Sequence, residues 1–505
     1  MLAVLQFDSV SVPRIERMMR DGRLTTLAGL RERGHWLKLD TPATHFPASC
    51  YATLYTGLGV AEHGMYYPFE WAPSEQRLRW RGASSPAVTV WERLAAGNRR
   101  ALVIDPYEMQ PPNNVAGTVL SGWQFVNVMS LNRWSRPSEA AAPLSRLFGK
   151  PRRMEEVFGR PSVQGLLRLR QLLLEATDRV AHAAVHLLRR EPFDLVWANF
   201  LAAHLGGHMF WDLSQFEGAE LDPRTRSLFE DTLDDLYEHI DRGLGRIVDA
   251  LPVGAEIIVT SPQGMDVNMS RVHLLPGMLE AVLSSNGAGP AVRAESRAER
   301  FLWQVRGAVP TQVRANAAAA LHGPLTRGLT MRLSALGVDW SKTPAFLLPS
   351  DHFGQVRLNV RGRERDGIVE PLEVEALVAR IRDGLLSFRD PDGEPAVVAV
   401  DRAVDVLAPG PRLGRLPDLV VRWSERPSAR VDHVNSSEHG RVGRPGVGSG
   451  RSGAHRPQAW ALLVPTTSAV SPTESASVED IVPTICEVLG VDAADLTGRP
   501  LLARG

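Results

Sequence analysis

The chain is poor in the features that staple small domains or carry proteins into membranes and onto nucleic acids. Only two cysteines occur among its 505 residues, Cys50 and Cys486. Two thiols so far apart lack the spacing of a metal cluster and the number needed for a disulfide framework. No apolar run approaches the roughly 18 residues of a membrane span. The opening stretch MLAVLQFDSV has neither a basic start nor a small-residue cleavage site, and Asp8 interrupts its apolar run. It therefore reads as a first strand rather than a signal peptide. Neither sign of charge dominates, since 57 Lys and Arg balance 57 Asp and Glu, which argues against nucleic acid as a partner. The expectation that remains is a soluble cytoplasmic protein with no membrane partner, its 44% hydrophobic content sufficient for a large core. The sequence sets no oligomeric state.

Short apolar runs alternate with helical patterns. LAVLQFD (2–8), RALVIDP (100–106), FDLVWANFLA (193–202), AEIIVTS (255–261) and AWALLVP (459–465) read as strands. Between them, 162–190 and 229–251 repeat apolar residues at helical spacing, and 477–490 runs from a cap at Ser477 to a stop at Gly490. Strands that alternate with helices predict an α/β fold with a mostly parallel sheet flanked by helices. A single domain over 1–505 is expected, with insertions at about 107–192 and 265–350 forming a cap over the site. The Gly- and Arg-rich stretch 425–458 reads as a surface loop or one wrapped over a site.

Several residues stand out for chemistry. His204 and His208, in AAHLGGHMFWD, lie four apart, so a helix would place both imidazoles on one face at a spacing that suits a metal. The pair Gly206-Gly207 weakens that helix. Asp8 closes the first strand, where α/β folds bind ligands, although an ordinary helix cap is the competing reading. Thr44, His45, Ser49 and Cys50 surround the start of a short helix that Gly57 ends. A hydroxyl there is placed to attack phosphorus, or merely to cap. Strand 257–260 runs into Ser261-Pro262-Gln263-Gly264, a loop at a strand end without a strong anionic ligand at 262 or 263.

Taken in order, these segments resemble the alkaline phosphatase superfamily, in its type I phosphodiesterase/nucleotide pyrophosphatase branch. LQFDSVSVPRIERMMRDG resembles the opening metal-Asp strand and its helix. YATLYTGLGVAEHGMY resembles the TG-x-x-P-x-x-HG segment, with Val60 in place of Pro. HLGGHMFW resembles D-x-x-x-H-x-x-W, SPQGM stands where S-D-H-G-M is expected, and GQVRLNVRGRERDGIV (354–369) resembles a distinctive block of the branch. LPDLVV, SGAHRP and VEDIVPTICEVLGVDAADLTGRPL complete the series.

The resemblance implies an alkaline-phosphatase-like core and a metal-dependent hydrolase acting on a small phosphorylated substrate. In this family two divalent ions, usually zinc, flank a Thr or Ser nucleophile. Carried over by position, one ion would be held by His204, His208 and His455. A second would use Asp8, but its usual Asp-His pair is Pro262-Gln263 here. One ion is therefore expected rather than two, zinc first, with iron or manganese as alternatives. Three neutral imidazoles make a competent zinc site with one open position. The nucleophile register is displaced: it falls on Pro47 or His45, leaving Thr44 and Ser49 as candidate catalytic hydroxyls. Substrate contacts are assigned to His45, Gln263 and Arg357. The alternatives are other chemistry at a three-histidine centre (transferase, lyase or non-phosphate hydrolase) or a non-catalytic pseudoenzyme, since fold does not fix chemistry.

Overall fold

The computed structural model describes residues 1–503 apart from 81–86, 110, 128–132, 155–162, 216–221, 285–337, 351, 429, 444–450, 472 and 474. Its frame is an eight-stranded sheet. In chain order the strands are β1 (Leu2–Phe7), β2 (His35–Leu39), β3 (Ala101–Ile104), β4 (Gly117–Ser121), β5 (Trp134–Arg136), β6 (Leu195–Phe200), β7 (Glu256–Ser261) and β8 (Ala459–Val464). Their order across the sheet is β2-β8-β7-β1-β6-β3-β4-β5. The run β7-β1-β6-β3-β4 is parallel. Strand β8 opposes both of its neighbours, and β5 opposes β4. The chain thus has the α/β core expected from its alternating pattern.

Strand β1 is apolar almost throughout because both faces of the sheet are covered. Ala3, Leu5 and Phe7 point to one side, where they join a core with helices α2 (Val163–Leu188) and α4 (Thr232–Val248). Leu2 and Val4 point to the other, against α1 (Cys50–Thr56) and α5 (Ile481–Leu489). The predicted stop and start signals of α5 are present. The Ser477 hydroxyl accepts from the Glu479 N–H, Asp480 returns the bond to the Ser477 N–H at 2.7 Å, and Gly490 takes the left-handed conformation with φ +66°.

A second core surrounds a four-stranded antiparallel sheet of Ala345–Leu348, Gly354–Leu358, Leu419–Trp423 and Val397–Arg402, in that spatial order. Helices Leu275–Ser284 and Val374–Leu386 pack on it. Of the segments read as insertions, 107–192 supplies β4, β5 and α2 to the main sheet and its covering layer. Much of 265–350 (285–337) lies outside the described residues, as does 444–450 of the Gly-rich loop. Among the described residues no helix is long and apolar enough to cross a membrane.

Candidate metal centre

The three central strands β7, β1 and β6 end side by side, and the candidate residues lie just past their carboxyl ends. Asp8 follows β1. After β6 the chain enters α3 (Ala202–Phe210), which carries His204 and His208 one turn apart. After β7 it passes Pro262 and Gln263 into strand Gly264–Val267. That strand pairs antiparallel with Gly453–Arg456 and sets Met265 opposite His455. Residues from four distant parts of the sequence therefore meet at one sheet edge.

Two glycines in the middle of α3 carry a helix penalty, and the packing explains them. A Cβ at Gly206 would stand 2.5 Å from Leu236 Cδ1, and one at Gly207 would stand 2.7 Å from Met265 Cγ. Gly453 is pressed as closely, since its Cβ would meet the Gly207 carbonyl oxygen at 2.2 Å. This bare backbone contact lets the His455 strand lie against the helix that bears the other two histidines. The Ser452 N–H seals it by donating to the His208 carbonyl at 2.8 Å.

The hydrogen bonds around the histidines determine which nitrogens are left. His208 Nδ1 lies 2.8 Å from the Gly453 carbonyl oxygen. A carbonyl only accepts, so Nδ1 carries the proton, and in the neutral ring Nε2 is a bare lone pair. His204 Nδ1 lies 2.9 Å from Asp8 Oδ2, and the same reasoning leaves its Nε2 bare. With both rings neutral, two lone pairs face each other at 3.1 Å. His455 completes the group: one ligand atom from each of the three residues lies within 4.8 Å of the others. His455 Nδ1 is buried without a hydrogen-bond partner. Converging lone pairs repel unless a cation lies between them. Nitrogens bound at 2.0–2.1 Å to a tetrahedral ion stand about 3.3 Å apart. The donor set fits a divalent metal that accepts imidazole.

The electrostatics agree. Burial holds His208 well below the ordinary histidine range, with further lowering by the Arg451 charge and by His204 and His352. Burial likewise holds His455 well below that range, followed by the effects of His204, His352 and His208. Neutral imidazole is the form that binds metal.

Asp8 is fully buried, and donors surround it. Oδ2 accepts from Tyr51 Oη and His204 Nδ1, both at 2.9 Å. Oδ1 accepts from Gln6 Nε2 at 3.2 Å and from Ser9 Oγ at 3.4 Å. Burial, then the Asp8 charge, pushes the Tyr51 phenol well above its usual range, so it remains a donor. Gln263 is also sealed. Its Nε2 donates to Ser9 Oγ and Tyr51 Oη, each at 3.2 Å, while its buried Oε1 has no partner. Tyr51 and Gln263 thus occupy the space beside Asp8.

The remaining sequence candidates are held by other partners. Ser49 is fully buried and donates to the Met65 carbonyl. Thr44 is half-buried and donates to the Thr41 carbonyl at 3.3 Å. His45 Nε2 lies 3.3 Å from Asp401 Oδ2, and burial lowers its pKa despite that carboxylate. The nearby Cys50 thiol is pushed up to about 12 by burial, which keeps it inert. Arg357 is buried with Glu364 at 2.7 Å and donates to the Gly414 and Leu416 carbonyls. It is placed to hold the second sheet together rather than to meet a substrate.

Two members of the site went unread in the sequence. Tyr51 lies inside the quoted YATLYTG segment, where only hydroxyls near the helix start drew notice. His352 is a lone histidine two residues before Gly354, with no spacing signal, yet its ring centroid lies 4.7 Å from that of His455.

A family model described as type I phosphodiesterase / nucleotide pyrophosphatase matches residues 2–447. The chain belongs to that family. No curated protein matches the sequence. Among solved structures, alkaline phosphatase PafA is 12% identical with a TM-score of 0.51, covering 99% of this chain and 98% of that one. Phosphonoacetate hydrolase from Sinorhizobium meliloti, in complex with phosphonoformate, is 14% identical with a TM-score of 0.48 over 95% and 93% of the two chains. Murine ectonucleotide pyrophosphatase / phosphodiesterase 5 is 11% identical with a TM-score of 0.45 over 99% and 100%. At these identities the likeness concerns the fold, and the PafA match supports an alkaline-phosphatase-like core. The type I phosphodiesterase family is one of metal-dependent phosphate-ester hydrolases, and the three-histidine group is the place in this member where a divalent ion fits.

Proposed function

We propose that this type I phosphodiesterase family member hydrolyses a small phosphate ester with one divalent ion, zinc foremost, held by His204, His208 and His455. The observation that carries the reading is the convergence of the three rings, with the His204 and His208 Nε2 atoms facing each other at 3.1 Å and each Nδ1 held by its own acceptor. A bound ion would supply Lewis-acid polarisation of a phosphoryl oxygen.

In this reading Asp8 orients rather than ligates. It fixes the His204 tautomer and raises the basicity of the ring, as carboxylates behind metal-binding histidines do. The Tyr51 hydroxyl and the Gln263 amide take up the space beside Asp8, which supports one ion instead of two. Of the two candidate hydroxyls, Thr44 is the one a substrate can reach, and its turn Pro42–Thr44 packs against the His455 strand. Ser49 has the role of a buried brace, and so has Arg357. His45, held by Asp401, remains the basic group at the nucleophile register.

The test is elemental analysis of purified protein beside His208→Ala, with hydrolysis of an aryl phosphate mono- and diester measured with and without chelator. One ion per chain, lost in the variant, together with chelator-sensitive hydrolysis, is the expected result. Bound metal without hydrolysis would turn the reading toward other chemistry at the same centre. No metal in the wild type would sink it.

A further inference from the structure

The loop before strand Gly354–Leu358 brings His352 to the cluster. Its ring centroid lies 4.7 Å from that of His455 and 6.1 Å from that of His208. The three rings already described are spaced at 4.6, 4.9 and 4.9 Å. Imidazoles bound through nitrogen to a tetrahedral ion have their ring centres about 5 Å apart. The His352–His455 spacing matches that geometry, and the His352–His208 spacing exceeds it by about 1 Å, within the reach of a side-chain rotation.

His352 is also anchored. Its carbonyl oxygen accepts from Ser270 Oγ at 2.7 Å and from Trp423 Nε1 at 2.8 Å. Phe353 is buried beside it, and a Cβ at Gly354 would meet Leu275 Cδ2 at 2.3 Å. The backbone at this position is thus fixed by the second sheet. The other three histidines sit on a helix and on a paired strand, packed through glycine contacts that leave little freedom.

Resting on the three-histidine reading, we infer that His352 is a fourth, exchangeable ligand of the same ion. It takes the open position at rest and yields it to a phosphoryl oxygen. Three ligands on regular structure and one on a loop divide the work between holding the ion and exposing it. Exchange of this kind makes occupancy of the fourth position a competition between the imidazole and a phosphate group.

The test uses full-length zinc-loaded protein and X-ray absorption, with His352→Ala for comparison. Four imidazole nitrogens are expected in the wild type, and three with one oxygen in the variant, whose zinc affinity falls at least tenfold. In cobalt-loaded samples, the inorganic phosphate needed to change half of the visible spectrum should be at least tenfold lower in the variant. Three imidazoles and one oxygen in the wild type, with unchanged affinity in the variant, would overturn the inference and leave the three-histidine centre standing. No bound metal in either protein would instead remove the centre itself.

Discussion

Replacing Asp8 by Asn separates an orienting carboxylate from a ligand. In the native site Asp8 Oδ2 accepts from Tyr51 Oη and His204 Nδ1, each at 2.9 Å. Asn has nearly the same shape and keeps one acceptor oxygen, but it removes the charge and faces two of the four donors with an NH₂ group. Loss of such an outer partner typically weakens metal binding by 10–100-fold. That corresponds to about 1.4–2.8 kcal/mol. A buried donor left without its acceptor costs a further 1–3 kcal/mol, roughly, in folding stability. Titration against a chromophoric chelator should show zinc affinity falling within that range in Asp8→Asn, with elemental analysis still giving one ion per chain at saturation. Two ions in the wild type and one in the variant would show that Asp8 is a ligand and would refute the argument. So would an affinity that does not move.

Two further predictions follow from burial. His208 and His455 are held well below the ordinary histidine pKa in the fold, so below about pH 6.5 the unfolded chain binds more protons than the folded one. Their contribution to the stability of the metal-free protein is present above that pH and is lost as the pH falls below it. Each group contributes about 1.4 kcal/mol per pH unit. Urea midpoints at pH 7 and 5.5 should therefore diverge more in the wild type than in a His208→Gln/His455→Gln double variant, and equal divergence would contradict the reading. Arg357→Ala removes one of the two arginines that pair with buried Glu364, Arg363 remaining at 3.0 Å, and should cost somewhat less in thermal or urea unfolding than the roughly 3–5 kcal/mol of a buried pair broken outright. A variant of native stability with a raised KM would instead return Arg357 to substrate binding.

What the sequence revealed depended on how local each signal was. Strands β1, β6 and β7 declare themselves through short apolar runs, and α2 and α4 through their periodicity. The His204/His208 pair was readable because four residues make one helical turn. His455 gained meaning only from the ordered resemblance, since nothing in SGAHRP alone points to a metal. Tyr51 and His352 were not readable. One reaches Asp8 across 43 residues, and the other meets His455 through the packing of a different sheet. The surroundings of Arg357 were hidden for a related reason: an arginine on a strand looks the same in sequence whether it faces solvent or a buried glutamate.

The position of β8 has a consequence for how the protein is made. This strand, Ala459–Val464, lies between β2 and β7, and among the described residues of the main sheet β2 pairs with nothing else. During synthesis His35–Leu39 must therefore wait for more than four hundred further residues before its partner leaves the ribosome. His455 emerges only just before that strand. Nearly the whole chain is therefore translated with an open sheet edge and without the third histidine of the proposed centre, which would make metal loading a late event. Contacts this distant in sequence fold slowly and leave partly built sheets open to association. Yield on expression should then depend more on the last fifty residues than their modest share of the core would suggest.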